Sequence, residues 1–597
     1  MRRRDRGDAE DVVILRRVPS EVSVIVASQN MRTLLGRRLA ARVRAADLVL
    51  AAIVVAALAL HISWLVRFRS GYVTEWDESG YLQFALSNFD ALHEHGIWTF
   101  AKTVGGRGTF GPLLPLVTSV SYPIVTRSIF GSLLTLLLFY SGLVAATYGL
   151  ARRFVADAWA VVAALAVAAM PAVTDYTRLY HFALPTTACM TAALWALVRS
   201  DRFRHAPWAV AFGFFVALTL LSRTMAVAFV PGFVLAAALQ LLAGRPESRL
   251  RVRNFALAVA TAAIVAGPWY LANARSVYDL YVGSGYGEGA AAYGRHYPVA
   301  SWGYWTKELR LDLSYLWLPL SLVLLLCFAL ALGYRRGPWR RAWDDRAAGV
   351  TALVVVVLEG YLALTSSRNE GTAFPLPWLP SLVVLAVIAA ASLPARAVRN
   401  GLAAALVAVS ISSVLSKSGW VAPLATVRSV HVPGFGRVFV TDGRGIIQGE
   451  VQGDGYGIGP VTHPLPSMHK RWLPLAREVV GWGLDRANRR GEPLNLTLGL
   501  DDRIFGNSRL ILAAQLWFHR YQPVDYLQAS AGGDTVESYR RQLLAPNQVN
   551  ALVTGEPPPN GSSITRRKVE QAARSLGFVR VRSLAMPDGR RIWLWWR

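Results

Sequence analysis

Asp77 and Glu78 stand side by side in the segment Trp76-Asp77-Glu78-Ser79-Gly80-Tyr81, a few residues after the first long apolar run of the chain. A membrane anchor has no need of adjacent carboxylates where its helix meets water. Such acids can take a proton from a hydroxyl or share a cation. A third acid, Asp175, lies in the short polar segment Thr174-Asp175-Tyr176-Thr177-Arg178-Leu179-Tyr180-His181. That segment is too short to leave the bilayer surface, so Asp175 could approach Asp77 across a helical bundle. The two form a candidate acid–base pair or a candidate site for a divalent cation, although no histidine or cysteine cluster demands a metal. The plain alternative is a set of solvated loop acids.

Cations complete the constellation. Arg223 lies in Ser222-Arg223-Thr224, between two apolar runs. An arginine at membrane depth is costly unless paired or hydrated, which makes it a functional candidate. Lys102, Arg107, Arg178, Arg295, Lys307, Arg310 and Arg368 fall on the same face in the threading below. Together they could clamp a phosphate or pyrophosphate carried by a lipid. Arg223, Arg368, Lys102 and Lys307 lead that set, and each could instead be an ordinary solvated loop cation. Glu359 sits inside an apolar run, as a buried structural acid or as a partner that orients an arginine.

Tyr278, Tyr281, Tyr286, Tyr293, Tyr297, Trp302, Tyr304 and Trp305 enrich residues 274–312. Aromatic faces suit sugar rings, and they also suit a membrane interface. Gly283, Gly285, Gly287 and Gly289 loosen the centre of that loop, as in a lid. Tyr81, Leu82, Phe84, Ala85, Leu86 and Phe89 recur at near-helical spacing and predict an interfacial amphipathic helix. The glycines of residues 105–111 lack the strand–helix context of a nucleotide-binding loop and read as a turn-rich return to the membrane.

The elements that position these residues are membrane helices. The chain has 597 residues, 53% hydrophobic and 17% charged, which is outside the range of soluble proteins. Eleven spans can be placed at 47–66, 129–150, 157–172, 182–198, 207–221, 225–243, 255–273, 313–333, 348–365, 376–393 and 400–416. Every second connection is short and basic, beginning with Arg152-Arg153 and ending with Arg396 to Arg399. The positive-inside rule makes that side cytoplasmic and puts the decorated loops outside. The net charge of +26 follows from this clustering and from anionic headgroups, not from a nucleic-acid partner. No cleavable signal peptide is expected, and Met31 is an alternative start. Cys189 and Cys327 fall inside apolar runs and read as buried thiols.

The expected organisation is a basic cytoplasmic segment 1–46, a transmembrane domain 47–416 with its chemistry on loop 67–128, and an extracytoplasmic mixed α/β domain 417–597. In the last, 494–500 predicts a strand, 504–517 and 565–576 helices, and 578–581 and 591–596 strands. The tryptophans of the final strand are structural, or they meet sugar or membrane.

The chain resembles integral-membrane glycosyltransferases of the GT-C fold that use lipid-linked donors, of the protein-O-mannosyltransferase and aminoarabinose-transferase type. The resemblance covers about residues 45–393. It rests on Asp77-Glu78-Ser79-Gly80-Tyr81 after the first span, on Asp175 in the second outer loop, and on the arginine in Ser222-Arg223-Thr224. The late segment departs from the family pattern, reading Ala373-Phe374-Pro375-Leu376-Pro377-Trp378-Leu379-Pro380. The resemblance implies Asp77 as general base, Glu78 shaping the site, and Asp175 orienting the acceptor or assisting the base. It implies Arg223 and Arg368 on the donor phosphate; Tyr81, Lys102, Arg178, His181 and Lys307 are further candidate binding residues by their types and their places on the outer face. It implies a polyprenyl-phosphate sugar donor, inversion at the anomeric carbon, and an acceptor hydroxyl on an envelope glycan, lipid or protein in a bacterial cytoplasmic membrane. A transporter or flippase of lipid-linked glycans is the rival reading, and would show inverted repeats and polar residues along the spans. A noncatalytic membrane scaffold is the third.

Overall fold

The computed structural model describes residues 44–106, 108, 110–242, 248–284, 302, 306, 318–334, 347–367, 373–419, 421, 428–433, 436–441, 467–502, 504–544, 549–559 and 561–597. Residues 53–597 form one compact unit. Lys307, Arg368, Arg107, Arg295, Arg310 and the centre of the aromatic loop lie outside the described residues.

The apolar runs become helices close to the expected bounds. They are α1 (Ala45–Phe68), then α2 (Trp76–Gly105) and α3 (Leu113–Val125) in the first connection, and α4 (Ile129–Ala151). There follow α5 (Asp157–Ala168), α6 (Pro171–Thr177), α7 (Ala183–Arg199), α8 (Ala206–Ser222), α9 (Val230–Leu242) and α10 (Ser248–Ala272). The membrane part closes with α11 (Leu318–Gly333), α12 (Ala347–Ser366), α13 (Leu379–Ala391) and α14 (Arg396–Ser418). Among the described residues, 6 helices are long and apolar enough to cross a membrane alone, or up to 7 if α5 and α6 count as one bent span. The chain is a polytopic α-helical membrane protein.

Two features of the connections differ from expectation. The first half of the second polar loop is helical: Pro171 occupies the first turn of α6, where a missing N–H costs nothing, and α6 bends 60° away from α5. The first connection holds two helices, and α2 is broken at Gly96, whose φ of 82° and ψ of −180° no helix accommodates. Glu359 packs its carboxylate against Gly232 of α9, and Cys189 and Cys327 are buried free thiols.

After α14 comes a two-stranded hairpin of β1 (Arg428–Val432) and β2 (Gly436–Thr441). The C-terminal domain then alternates α15 (Trp472–Arg490), β3 (Leu496–Gly499), α16 (Asn507–Phe518), β4 (Val524–Tyr526), α17 (Val536–Leu543), β5 (Ala551–Gly555), α18 (Arg566–Ser575), β6 (Val579–Ala585) and β7 (Arg591–Trp596). The sheet order is β4-β3-β5-β7-β6; β3 runs parallel to β4 and β5, and β7 antiparallel to β5 and β6. Side chains alternate across a strand, so Ala551, Val553, Leu594 and Trp596 pack on the α15–α16 face, while Leu552 and Trp595 pack against α17 and α18. The closing tryptophans Trp595 and Trp596 are therefore core residues.

Candidate active site

The helix that carries Asp77 starts where it does because Glu75 caps it. The Glu75 carboxylate accepts the Glu78 amide at 2.9 Å, and the Glu78 carboxylate accepts the Glu75 amide at 3.0 Å. This is a reciprocal capping box built from two glutamates. It places Asp77 and Glu78 in the first turn of α2, where exposed N–H groups favour negative charge.

The two adjacent acids have different environments. Glu78 is fully buried, ion-paired to Arg69, and accepts the Tyr180 amide at 3.0 Å. Asp77 keeps an exposed edge, while the protein around it weakens hydration and raises its carboxyl above the usual range; the Arg223 charge opposes that rise. Burial and then the charge of Asp77 push Glu75 up to about 7. Glu75 escaped the sequence reading; its signal was an acid immediately before a helix start, with Glu78 three residues on.

Arg223 sits at the break after α8, in extended backbone with φ of −154° and ψ of 127°. Its guanidinium lies 4.4 Å from the Phe182 ring centroid and 3.7 Å from that of Phe374, and donates to the Ala373 carbonyl at 3.4 Å. A planar, weakly hydrated cation stacks between rings in a way an ammonium cannot. Gly111 lets the first connection reach this point, because a Cβ there would lie 2.6 Å from the Arg223 nitrogen and 2.5 Å from the Ser222 carbonyl carbon.

Tyr81 stands within electrostatic reach of both Asp77 and Arg223. Its ring stands edge-on to Phe110, His181 and Phe182 at 5.4, 5.5 and 5.2 Å. Burial and then the Arg223 charge hold His181 well below the usual imidazole range, so it is neutral, and its Nδ1 accepts the Ala183 amide at 3.2 Å. Tyr81, His181 and Arg223 thus share Phe182 as a common neighbour, and Asp77 lies within electrostatic reach of Tyr81 and Arg223.

The remaining candidates have other surroundings. Asp175 is ion-paired to Lys417 in the last turn of α14 at 2.8 Å. Arg178 lies over the Trp64 ring at 4.3 Å, donates to His61 Nδ1 at 3.3 Å and to the Lys417 carbonyl at 2.6 Å. These contacts fasten the α6 turn to α1 and α14. Lys102 is exposed in the last turn of α2. Among the described residues, three groups able to share a cation meet at Asp90, Glu94 and His519, within 4.8 Å of one another. They stand elsewhere than Asp77 and Asp175, and Asp90 already takes two hydrogen bonds from Arg127, at 2.9 and 2.7 Å. A divalent cation therefore has a candidate set of protein ligands.

Residues 110–271 match the family model described as dolichyl-phosphate-mannose-protein mannosyltransferase. No curated protein matches. Among solved structures, ArnT from Cupriavidus metallidurans bound to undecaprenyl phosphate superposes with a TM-score of 0.51 at 16% identity, over 92% of this chain and 97% of that one. Its apo form gives 0.51 at 15% identity with the same coverage. The archaeal oligosaccharyltransferase AglB from Archaeoglobus fulgidus, in complex with an inhibitory peptide and a dolichol-phosphate, gives 0.50 at 12% identity over 85% and 69%. The chain has the GT-C fold of these membrane glycosyltransferases.

Proposed function

We propose that the protein transfers a sugar from a polyprenyl-phosphate donor to a hydroxyl of an envelope glycan, lipid or protein, with inversion. Asp77 takes the proton of the acceptor hydroxyl as its oxygen attacks the anomeric carbon. The bond from that carbon to the phosphate oxygen breaks, and its electron pair leaves with the polyprenyl phosphate. A phosphate leaving group needs positive charge and no proton at neutral pH. Arg223 supplies that charge from its place between Phe182 and Phe374, with Lys102, Lys307 and Arg368 as further cations. Tyr81 and His181 line the sugar or acceptor, and Asp175 and Arg178 set the turn that presents Tyr180 and His181.

The observation that carries this reading is the pairing of an acid and a cation of opposite freedom. Asp77 is open to an incoming hydroxyl and has a raised pKa suited to a base, and Arg223 is stacked in place within its electrostatic reach. The polyprenyl phosphates named with the ArnT and AglB structures support the donor class. The reading includes eleven spans, domain limits at 46 and 416, a cytoplasmic N-terminus, and the Asp77 turn and C-terminal domain outside a bacterial cytoplasmic membrane.

Deleting the gene and profiling polyprenyl phosphates by mass spectrometry tests donor and acceptor together. One sugar-bearing polyprenyl phosphate should accumulate while an envelope glycan, lipid or protein loses that sugar. An unchanged profile argues against transfer. A reporter fused after Arg597 should be active only outside the cytoplasm.

A further inference from the structure

The turn that carries Asp77 is built into the C-terminal domain. Tyr72 and Val73 belong to the same buried core as Trp472, Val479, Phe505 and Leu510. Arg509, 2% exposed on α16, points Nε and Nη2 at one atom, the Thr74 carbonyl oxygen, with the Nε contact at 2.9 Å. Thr74 is three residues before Asp77 and immediately before the Glu75 cap. Gly506 meets Trp76 so closely that a Cβ there would lie 2.4 Å from the indole.

The contact continues along α2. Gln83 donates to the Ser508 carbonyl at 2.8 Å, and Gln515 donates to the Gln83 carbonyl at 3.2 Å and the Ser87 hydroxyl at 2.5 Å. Arg127 joins Asp90 to the Gln515 carbonyl at 3.0 Å. A soluble domain that merely hung from the last membrane helix would need none of this at a site more than 400 positions earlier.

We propose that Arg509 is a positioning residue for the transfer reaction, and that the C-terminal domain clamps the Asp77 turn through Arg509 and the Gly506–Trp76 contact. This rests on the reading of Asp77 as the base. Two donors on one carbonyl fix the peptide plane before the Glu75 cap, and the cap fixes the first turn of α2. Misplacing a reacting group by about 1 Å costs on the order of a hundredfold in rate.

The charged and titratable groups about this turn are Glu75, Glu78 and Tyr81 on its own element, Arg69 just after α1, Arg223 after α8, and Tyr176 and His181 from the second connection. Loosening the clamp admits water to them, so the Asp77 carboxyl falls toward its ordinary range. The acidic limb of the rate profile then moves to lower pH.

Arg509→Gln and Gly506→Ala test this in the full-length protein. Gly506 has φ of −96° and ψ of 170°, which alanine also adopts, so the added methyl acts through Trp76 rather than through backbone strain. The probes are undecaprenyl phosphate for binding, and the glycolipid extract plus envelope fraction of a deletion strain for transfer. Both variants should bind undecaprenyl phosphate within about twofold of the parent, transfer about a hundredfold more slowly, and shift the acidic limb downward. Parental transfer by either folded variant overturns the clamp, as does a loss that only tracks the folded fraction with an unmoved limb. If Arg509→Gln does not fold, Gly506→Ala decides alone. Asp77→Asn is assayed alongside: inactive Asp77→Asn beside parental Arg509→Gln sinks the clamp only, whereas parental Asp77→Asn sinks the base and the clamp with it.

Discussion

Arg69 and Glu78 form an ion pair whose side chains are 1% and 0% exposed, one residue from the proposed base. Arg69 also donates to the Val73 carbonyl at 3.1 Å, so the pair braces the whole turn between α1 and α2. Adjacent acids are thereby separated into a buried brace and the proposed base.

Glu78→Gln leaves Arg69 buried without its counter-charge, which costs about 3–5 kcal/mol at a sealed site. The thermal midpoint in detergent should fall strongly. Asp77→Asn, at an exposed carboxylate, should leave it nearly unchanged.

Arg223→Ala should lower kcat/KM by about a hundredfold, since it removes the charge proposed to face the leaving phosphate. Arg223→Lys should recover little, because an ammonium loses the stacking on Phe182 and Phe374. Arg223→Gln should also move the acidic limb to higher pH. The Arg223 charge lowers the Asp77 pKa, and its loss lets the carboxyl rise further.

Glu75 gives a stability prediction with a defined sign. Its folded pKa of about 7 lies above that of an unfolded glutamate, so the folded state binds the extra proton between about pH 4.5 and 7. Stability from this group is present below the unfolded pKa and is lost as pH rises through 7. Glu75→Gln keeps an oxygen for the Glu78 amide and should flatten the decline of the thermal midpoint between pH 5 and 8.

The helices of the membrane part were legible because hydropathy is a local property. The span expected at 129–150 is found at Ile129–Ala151, and that at 348–365 at Ala347–Ser366. The strand at 591–596 and the helix at 565–576 were legible for the same reason, and appear at Arg591–Trp596 and Arg566–Ser575. Asp77 and Arg223 stood out as residue types misplaced for an anchor. Their partners were not legible. Asp175 meets Lys417 across 242 positions, and Arg509 meets Thr74 across 435. Contacts that distant leave no periodicity in a single chain. The bend at α6 was readable in principle from Pro171, a residue suited to a helix start.

Lys417→Met should destabilise the protein, since it removes an ion-pair partner of the largely buried Asp175; the Arg178 charge nearby holds the loss below the roughly 3–5 kcal/mol of an uncompensated buried charge. Combining it with Asp175→Asn should recover much of that loss. A double-mutant cycle on thermal midpoints measures the coupling.

The most direct measurement is the transfer rate of purified, folded Asp77→Asn protein, with the glycolipid extract of a deletion strain as donor and its envelope fraction as acceptor. A general base contributes about 10²–10⁴-fold, so the rate should fall by that factor while undecaprenyl phosphate still binds. Transfer at the parental rate would contradict Asp77 as the base and remove the centre of the proposed mechanism.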